Sequence, residues 1–217
     1  MTPNKEDYLK CIHELGEHQE KISNKQIAEH MTVSAPAVSE MIKKMIAEEL
    51  IVKDKKLGYY LTQKGLLLVS ELYRKHRLIE VFLVNHLHYS VDEIHQEAEV
   101  LEHTVSTTFV DRLDENLRFP PFCPHGGTIP KKGELLVEIN HITLAQIHDL
   151  GHYRISRVHD EFMLLKYLEE QGLGINCDFE LVQIDDYAQT YTISYQSKSL
   201  AIPNNIARQI YVSQITQ

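Results

Sequence analysis

The chain has 217 residues, of which 43% are hydrophobic and 24% are charged, and its formal net charge is −9. It contains neither a run of 18 uncharged apolar residues nor a basic leader followed by an apolar segment, so we expect a cytoplasmic protein without membrane contacts. Thirteen histidines are many for this length, whereas three scattered cysteines are too few for a disulfide framework. Imidazoles beside carboxylates in a reducing compartment favour a bound metal.

The negative charge is distributed unevenly along the chain. Residues 1–75 carry 12 basic and 11 acidic side chains, whereas residues 76–125 carry 3 and 9. Nucleic-acid-binding surfaces are usually basic, so the total charge alone argues against DNA binding. The near-neutral first third of the chain removes that objection.

The first third of the chain predicts a winged helix-turn-helix. Thr2 is a suitable N-cap with Pro3 at the first helical position, and the apolar stripe that follows ends at Gly16. A short helix over 25–30 and a turn over 32–34 follow, and Ser34 then caps a helix that runs to about residue 49. Two strands, over 50–52 and 59–61, flank a tight turn over 55–58. Helix, helix, turn, helix and hairpin in this order describe a winged helix-turn-helix.

Two long helices are predicted next, over 63–87 and over 91–117. Each carries more apolar surface than a small domain needs, including Leu87, Val100 and Phe109. We therefore expect some of this surface to form a dimer interface.

The composition then changes sharply, because four of the seven prolines fall within residues 119–134. This stretch predicts a linker. After it, one helix over 162–171 is surrounded by alternating segments over 135–139, 153–158, 179–184, 191–195 and 210–212, a pattern typical of a small β-barrel. The predicted organisation is a DNA-binding domain over 1–65, a helical metal-binding and dimerisation domain over 66–118, the linker over 119–134, and a barrel domain over 135–217.

The second helix of a helix-turn-helix enters the major groove, and its N-terminal residues reach base edges. The candidates for base contact are Ser34, Pro36, Ser39 and Glu40. Glu40 is repelled by phosphates but can accept a hydrogen bond from cytosine N4. The candidates for phosphate contact are Lys43 and Lys44 on the helix and Lys53, Lys55 and Lys56 on the hairpin. A solvated helix followed by an unrelated hairpin is the alternative, and the element order together with the local basic patch favours DNA.

Two stripes of ionisable residues point to a metal. His95, Glu99, Glu102 and His103 have the spacing i, i+4, i+7 and i+8, which places them on one helical face. His76 and Glu80 form an i, i+4 pair on the preceding helix. Solvated helical faces are the alternative for each stripe alone. Two such stripes on adjacent helices favour the interpretation that these residues bind a metal ion.

Asp7 on the first helix would add a further carboxylate to this group. Carboxylates held close together need neutralisation, which a divalent cation provides. Oxygen and imidazole donors suit a hard ion such as Mn²⁺, with Fe²⁺ second.

A second ligand set is available in the linker. Cys123 and His125 are two residues apart on a stiff backbone, and His76 with Glu80 could complete a site that favours Zn²⁺ or Fe²⁺ because of its sulfur donor. The alternative is a small buried cysteine and an exposed loop histidine.

These motifs resemble the diphtheria-toxin-repressor and manganese-transport-regulator family (DtxR/MntR) of bacterial metal-dependent repressors. The resemblance spans residues 2–125 and is carried by the segments 6–9, 33–39, 76–80 and 95–103, while residues 142–212 are similar to the FeoA-type, SH3-like barrel of the longer members. It implies a mainly α fold with this barrel appended, and a homodimer that binds palindromic operator DNA upstream of metal-uptake genes. Two dimers on one operator are an open alternative. The length and the Cys-Pro-His linker are most similar to the streptococcal-type manganese repressors.

The resemblance implies a primary site of Asp7, Glu99, Glu102 and His103. Iron-selective members carry Met and Cys where Asp7 and Glu99 stand, so it also implies Mn²⁺. Lys10 stands where short manganese-specific members carry a Glu, which argues against their binuclear arrangement. Glu40 stands where the type member has a Gln, so the operator sequence need not carry over.

A secondary site implied by the resemblance consists of His76, Glu80, Cys123, His125 and a barrel residue. Asp160 is the candidate for that last ligand, although it is equally suited to cap the helix that begins at Phe162. His95 matches an ancillary ligand of iron-type members.

The sequence therefore predicts a Mn²⁺-activated repressor that is not an enzyme, with Fe²⁺ or Zn²⁺ as alternatives in the secondary site. A second hypothesis is a winged-helix regulator that senses an organic ligand and whose Glu and His stripes are merely solvated. A metal-dependent hydrolase is disfavoured, because no general base or substrate pocket is evident apart from the proposed ligands.

Overall fold

The structure is a computed structural model that describes residues 5–18, 21–90 and 93–215. The chain forms two compact units, one made of residues 1–74 and 130–136 and the other of residues 75–129 and 137–217. The predicted cap at Thr2 and Pro3 lies outside the described residues, as does the predicted helix start at Val91. Within the described ranges, no helix has both the length and the hydropathy needed to cross a membrane.

The first unit contains the predicted winged helix-turn-helix. Its elements are α1 (Lys5–His18), α2 (Asn24–His30), α3 (Ala35–Ala47), the antiparallel strands β1 (Ile51–Asp54) and β2 (Gly58–Leu61), and the beginning of α4 (Gln63–Leu87). Ser23 opens α2 through a capping box with Gln26, and the Ser34 hydroxyl accepts a hydrogen bond from Ala37 N at the start of α3. The helices and the hairpin share one core, formed by residues such as Leu9, Ile12, Ile27, Val38, Met45, Leu50 and Ile51.

The hairpin, or wing, is fixed to the segment before α2. Ile22 N donates to Leu57 O and Tyr59 N donates to Ile22 O, each at 3.0 Å. Gly58 has a φ of +76°, and a Cβ on it would lie 1.9 Å from the Ile22 oxygen. Only glycine permits both this conformation and this close approach.

The helical part of the second unit contains the rest of α4, α5 (Ile94–Glu102) and α6 (Thr107–Asn116). The prediction of one helix over 91–117 is therefore wrong. Ser106 is extended (φ −79°, ψ 155°), and its side chain accepts from Phe109 N at 3.2 Å, which begins a new helix. The Thr104 hydroxyl donates to Leu101 O at 2.9 Å, so hydroxyl side chains bond the backbone on both sides of the break.

The C-terminal part of the second unit is a five-stranded antiparallel sheet in the order β6-β5-β4-β3-β7. The strands are β3 (Gly151–Val158), β4 (Asp178–Asp185), β5 (Thr190–Tyr195), β6 (Lys198–Pro203) and β7 (Ile210–Gln214). A 3₁₀ turn (Leu144–Gln146), α7 (Phe162–Gln171) and a short α8 (Asn204–Ala207) complete the unit. The helix predicted over 162–171 is confirmed as α7.

One prediction for this region is wrong, and one strand was not predicted. Residues 135–139 form no strand, because their backbone bonds side chains instead: Leu136 N donates to the Ser70 hydroxyl at 2.8 Å, and Ile139 N donates to Thr128 Oγ1 at 3.2 Å. β6 was not predicted. It alternates weakly and ends at a proline, as edge strands often do.

Candidate metal centre and nucleic-acid interface

A cluster of possible metal ligands lies inside the second unit. His76 and Glu80 are one turn apart on α4 and are buried, with 2% and 0% of their surface exposed. His95 from α5 and Asp160, which follows β3, join them. Each of these four residues offers a ligand atom, and these atoms all lie within 4.8 Å of one another.

The shortest separations in this cluster run between imidazole and carboxylate. His76 Nε2 lies 3.1 Å from Glu80 Oε1 and 3.3 Å from Asp160 Oδ2. His95 Nδ1 lies 2.9 Å from Asp160 Oδ1. Asp160 therefore faces the imidazoles of two different helices.

Cys123 and His125 approach Glu80 from the other side. The ligand atoms of Glu80, Cys123 and His125 also lie within 4.8 Å of one another. His125 Nδ1 is 3.2 Å from Glu80 Oε1 and 3.4 Å from Asp160 Oδ1. Glu80 is thus common to an imidazole–carboxylate group and a thiol–imidazole group.

The burial of these side chains decides between two interpretations. His76, Glu80, Glu102 and His125 expose between 0% and 2% of their surface. The alternatives of a solvated helical face and of an exposed loop histidine are therefore wrong for these four residues.

A tight turn brings Cys123 and His125 to the cluster. Gly126 N donates to Cys123 O and Cys123 N donates to Gly127 O, each at 2.9 Å. Gly126 has a φ of +80°, and a Cβ there would lie 2.1 Å from the backbone oxygen of Ser156. The glycine thus lets the turn lie directly against β3.

The donor set fits a divalent metal ion. Glu80 Oε2 is buried and forms no hydrogen bond with the residues that the structure describes. Buried polar atoms are almost always paired, so this atom of Glu80, a residue that belongs to both groups of donors, indicates a missing partner. Imidazole, carboxylate and thiol are the groups that bind Zn²⁺, Fe²⁺ and Mn²⁺ in proteins.

The protonation of the cluster reflects its buried charges. Burial lowers the pKa of His76, but Glu80, Asp160 and Glu102 outweigh it and raise that pKa well above its ordinary value. Burial also lowers the pKa of His95 and His125, but hydrogen bonds to Asp160 and Glu99 raise that of His95 to about 9. Hydrogen bonds to Cys123 and Glu80 raise the pKa of His125 to about 11. Burial raises the pKa of the Cys123 thiol. Without metal, imidazolium–carboxylate pairs therefore hold the cluster together, and a bound cation displaces protons.

Glu102 connects this cluster to His103. His76 Nδ1 lies 2.6 Å from Glu102 Oε2, and His103 Nε2 lies 3.3 Å from Glu102 Oε1. Glu99 is on the exposed side of α5, with Oε1 3.4 Å from His95 Nε2. Asp7 is half-buried on α1 in the first unit, whereas the other three residues of the predicted primary site belong to the second.

The residue that caps α7 is Glu161. Its side chain accepts hydrogen bonds from Met163 N and Leu164 N, both at 3.0 Å. The alternative assignment of Asp160 as the cap is therefore wrong, and the Asp160 carboxylate faces the cluster instead.

The N-terminus of α3 presents the predicted DNA-reading residues. Ser34, Pro36 and Glu40 are exposed. The Ser39 hydroxyl donates to Ala35 O at 3.0 Å and accepts from Asn24 Nδ2 at 2.9 Å. Ser39 thus joins α2 to α3, a role that the sequence did not indicate.

The predicted phosphate-contacting lysines are all exposed. Lys44 Nζ lies 2.7 Å from Glu40 Oε1, and hydrogen bonding between them lowers the pKa of Glu40 and raises that of Lys44. Lys53 Nζ lies 5.4 Å from the centre of the Tyr59 ring. The Asp54 carboxylate accepts hydrogen bonds from Lys56 N and Leu57 N at 2.6 and 2.8 Å. The acidic residue of the wing therefore stabilises the turn between its strands.

Family profiles match nearly the whole chain. Residues 1–59 match the iron dependent repressor, N-terminal DNA binding domain, and residues 62–131 match the iron dependent repressor, metal binding and dimerisation domain. Residues 142–214 match the FeoA domain.

Two characterised relatives agree with these matches. The HTH-type transcriptional regulator MntR of Geobacillus kaustophilus is 31% identical over 54% of this chain and 83% of its own length. The diphtheria toxin repressor of Corynebacterium diphtheriae is 25% identical over 99% of each chain. The chain belongs to the DtxR/MntR family.

Solved structures of DtxR/MntR-family regulators superpose over the full length. The manganese regulator SloR is 58% identical with a TM-score of 0.90, over 99% of this chain and 100% of that one. The metal-dependent transcriptional regulator MtsR is 63% identical with a TM-score of 0.88 over the same shares. ScaR with bound Zn²⁺ is 57% identical with a TM-score of 0.94, over 98% of this chain and 100% of its own.

Three charged residues beside the cluster of possible ligands were missed by the sequence reasoning. Arg77 and Arg157 both pair with Glu138, at 2.6 and 3.0 Å. Arg77 directly follows His76, but nothing in its spacing indicates a partner so distant in sequence. Glu138 fell within a segment mistaken for a strand.

Proposed function

We propose that this DtxR/MntR-family chain is a manganese-activated, DNA-binding transcriptional repressor of genes for manganese or iron uptake. The observation that carries the proposal is the buried cluster around Glu80, which combines imidazole, carboxylate and thiol donors. This cluster lies in a unit whose helices match a metal binding and dimerisation domain, and the other unit contains a winged helix-turn-helix. A sensor and a reading head in one chain are the two parts that metal-dependent repression requires.

The proposed secondary centre consists of His76, Glu80, Cys123, His125 and Asp160, with His95 as an ancillary imidazole donor. A bound divalent ion would supply positive charge that neutralises the carboxylates and links the elements that carry them. Glu80 reaches both groups of donors from α4. Asp160 adds a carboxylate from the end of β3, and the 123–127 turn supplies sulfur and nitrogen. The sulfur donor favours Zn²⁺ or Fe²⁺ here.

The proposed primary site consists of Asp7, Glu99, Glu102 and His103, as the family resemblance implies. Its oxygen-rich donors favour Mn²⁺, with Fe²⁺ second. SloR is described as a manganese regulator, which supports this choice. Asp7, Glu99 and Glu102 would contribute carboxylates and His103 an imidazole. Binding of the ion would then select the DNA-binding conformation.

The proposed partner is palindromic operator DNA bound by a homodimer. Leu87, Val100 and Phe109 are exposed in the single chain by 52%, 55% and 47%, which supports the predicted dimer face on the helices of the second unit. Two copies would present two α3 helices to successive major grooves, with Ser34 and Pro36 toward the bases. Lys43 and the wing lysines would contact phosphates.

The proposal is tested by selecting binding sites from a pool of random DNA duplexes. The full-length protein is incubated with the pool in Mn²⁺ or in chelator, and the retained duplexes are sequenced. We expect enrichment only in Mn²⁺, with inverted half-sites about one helical turn apart. Enrichment of the same sequences in chelator, or no enrichment in Mn²⁺, would contradict the proposal.

A further inference from the structure

A largely buried group of three charges lies next to the turn that carries Cys123 and His125. Glu138 exposes 13% of its side chain and contacts two guanidinium groups, with Oε1 2.6 Å from Arg77 Nη2 and Oε2 3.0 Å from Arg157 Nη1. Burial raises the pKa of Glu138, but Arg77 and Arg157 lower it by more, so the carboxylate is charged. We name Arg77, Glu138 and Arg157 the arginine clamp.

The arginine clamp holds the C-terminal end of the ligand turn. Glu138 Oε2 accepts a hydrogen bond from Thr128 N at 3.0 Å, and Arg77 donates to the carbonyl oxygen of the same residue. A Cβ on Gly127 would lie 2.7 Å from Arg77 Cζ, so the guanidinium lies directly against the turn. Both backbone groups of Thr128 are therefore bound to the clamp.

The other side of the turn is held by β3 and by Asn140. Val158 N donates to His125 O at 3.0 Å. Asn140 Nδ2 lies 3.4 Å from Gly126 O and 3.3 Å from Ser156 O, which ties the turn to the strand. Arg157, on the same strand, lies 3.7 Å above the Tyr211 ring and so has little freedom to move.

We propose that Glu138 is a positioning residue, which through Arg77 and Arg157 fixes the turn that presents Cys123 and His125 to a divalent metal. Arg77 follows His76 on α4, so adjacent residues supply an imidazole donor and the side chain that fixes the turn. Without the carboxylate, the two guanidinium groups would repel each other, and the single amide oxygen of a glutamine could not serve Arg77, Arg157 and Thr128 N together. The thiol and imidazole donors would then no longer be held in place for binding. The inference rests on the proposed secondary centre.

The test is Co²⁺ titration of full-length Glu138→Gln beside the wild type. Absorption from thiolate-to-cobalt charge transfer reports only ions that bind sulfur, and therefore the centre that contains Cys123. Loss of a group that bonds a metal ligand weakens metal binding by about 10- to 100-fold. Glu138 bonds the turn at Thr128 and not a ligand, so we expect a loss of about tenfold. Glu115→Gln on α6 removes a solvent-exposed partner of Arg112 and is the control, with unchanged affinity expected.

A second variant and a second measurement guard against misfolding. Asn140→Ala removes a partly buried hydrogen-bonding side chain at the other side of the turn, and we expect roughly a twofold to tenfold loss of Co²⁺ affinity. Thermal unfolding of each metal-free variant is measured in parallel. Normal Co²⁺ affinity and absorption in both variants, with only a lower melting temperature, would overturn the positioning role. Absence of charge-transfer absorption in the wild type would instead defeat the proposed secondary centre itself.

Discussion

His76 Nδ1 lies 2.6 Å from Glu102 Oε2, so one imidazole contacts both groups of proposed ligands. The other ring nitrogen, Nε2, faces Glu80 and Asp160. A carboxylate bound to one imidazole nitrogen fixes the tautomer and orientation of the ring for a metal at the other nitrogen. Glu102 thus belongs to the predicted primary site and also orients a donor of the secondary centre.

The first prediction follows from this contact. Glu102→Gln removes the charge that orients His76, and we expect the affinity of the secondary centre for Co²⁺ to fall by about 10- to 100-fold. Charge-transfer absorption restricts the measurement to the centre that contains Cys123. Glu97→Gln, an exposed change on α5, is the matched control. An unchanged Co²⁺ affinity in Glu102→Gln would contradict the claim that the Glu102 carboxylate orients His76 for metal binding.

The second prediction concerns the sulfur donor. Cys123→Ser replaces a soft ligand by a hard, weakly acidic one, so Zn²⁺ and Co²⁺ affinity should fall much more than Mn²⁺ affinity. Competition with a chromophoric chelator measures all three metals. Cys177→Ser, a half-buried cysteine of the same unit that belongs to none of the ligand groups described, should alter none of them. Equal losses for Zn²⁺ and Mn²⁺ in Cys123→Ser would argue against metal–sulfur bonding.

The third prediction concerns Glu40 at the reading head. Its carboxylate pairs with Lys44 at 2.7 Å, so Glu40→Gln should free Lys44 for phosphate, tighten DNA binding and steepen the dependence of log affinity on log salt by about one unit. Fluorescence anisotropy at several salt concentrations measures both effects, and Glu115→Gln is the control. Weaker binding to the selected operator with unchanged nonspecific binding would instead assign Glu40 to base recognition.

The fourth prediction is a pH dependence inside the first unit. His30 Nε2 lies 3.4 Å from Glu14 Oε2, and the hydrogen bond to Glu14 raises the pKa of His30 although partial burial opposes it. A raised pKa in the folded state stabilises the fold fully below the unfolded value of about 6.5, and this contribution disappears as the pH rises through the folded value. The side chain is 46% exposed, so the effect is small.

We therefore expect His30→Gln to melt below the wild type at a pH of about 5.5 and to match it at a pH of about 9. Circular dichroism of the metal-free proteins measures both melting temperatures. A difference that is equal at the two pH values would show that the ion pair contributes nothing.

Local sequence signals were sufficient for several elements. The capping serines of α2 and α3 are such signals. Each depends on hydrogen bonds within a few residues, so the rest of the fold does not alter the local structure that it predicts. The helix break at Ser106 was missed because apolar residues keep their helical spacing across it. The only local sign of the break was one hydroxyl side chain among several.

Contacts distant in sequence were harder to predict. His76 and Glu80 follow from the helical period, but the pairing of Asp160 with His95 depends on how β3 meets the helices of the same unit. Family resemblance suggested Asp160, and spacing alone gave no reason to choose it over a helix cap. The arginine clamp had no local signal, because its charges come from three separate segments.

Metal-dependent operator binding by the wild-type protein tests the central claim most directly. The affinity of the full-length protein for the duplex selected in Mn²⁺ is measured by fluorescence anisotropy, at fixed salt, with Mn²⁺ and with chelator. Allosteric coupling typically changes affinity by about 5- to 150-fold, and we predict tighter binding with Mn²⁺ within this range. Equal affinities in the two conditions would contradict metal activation.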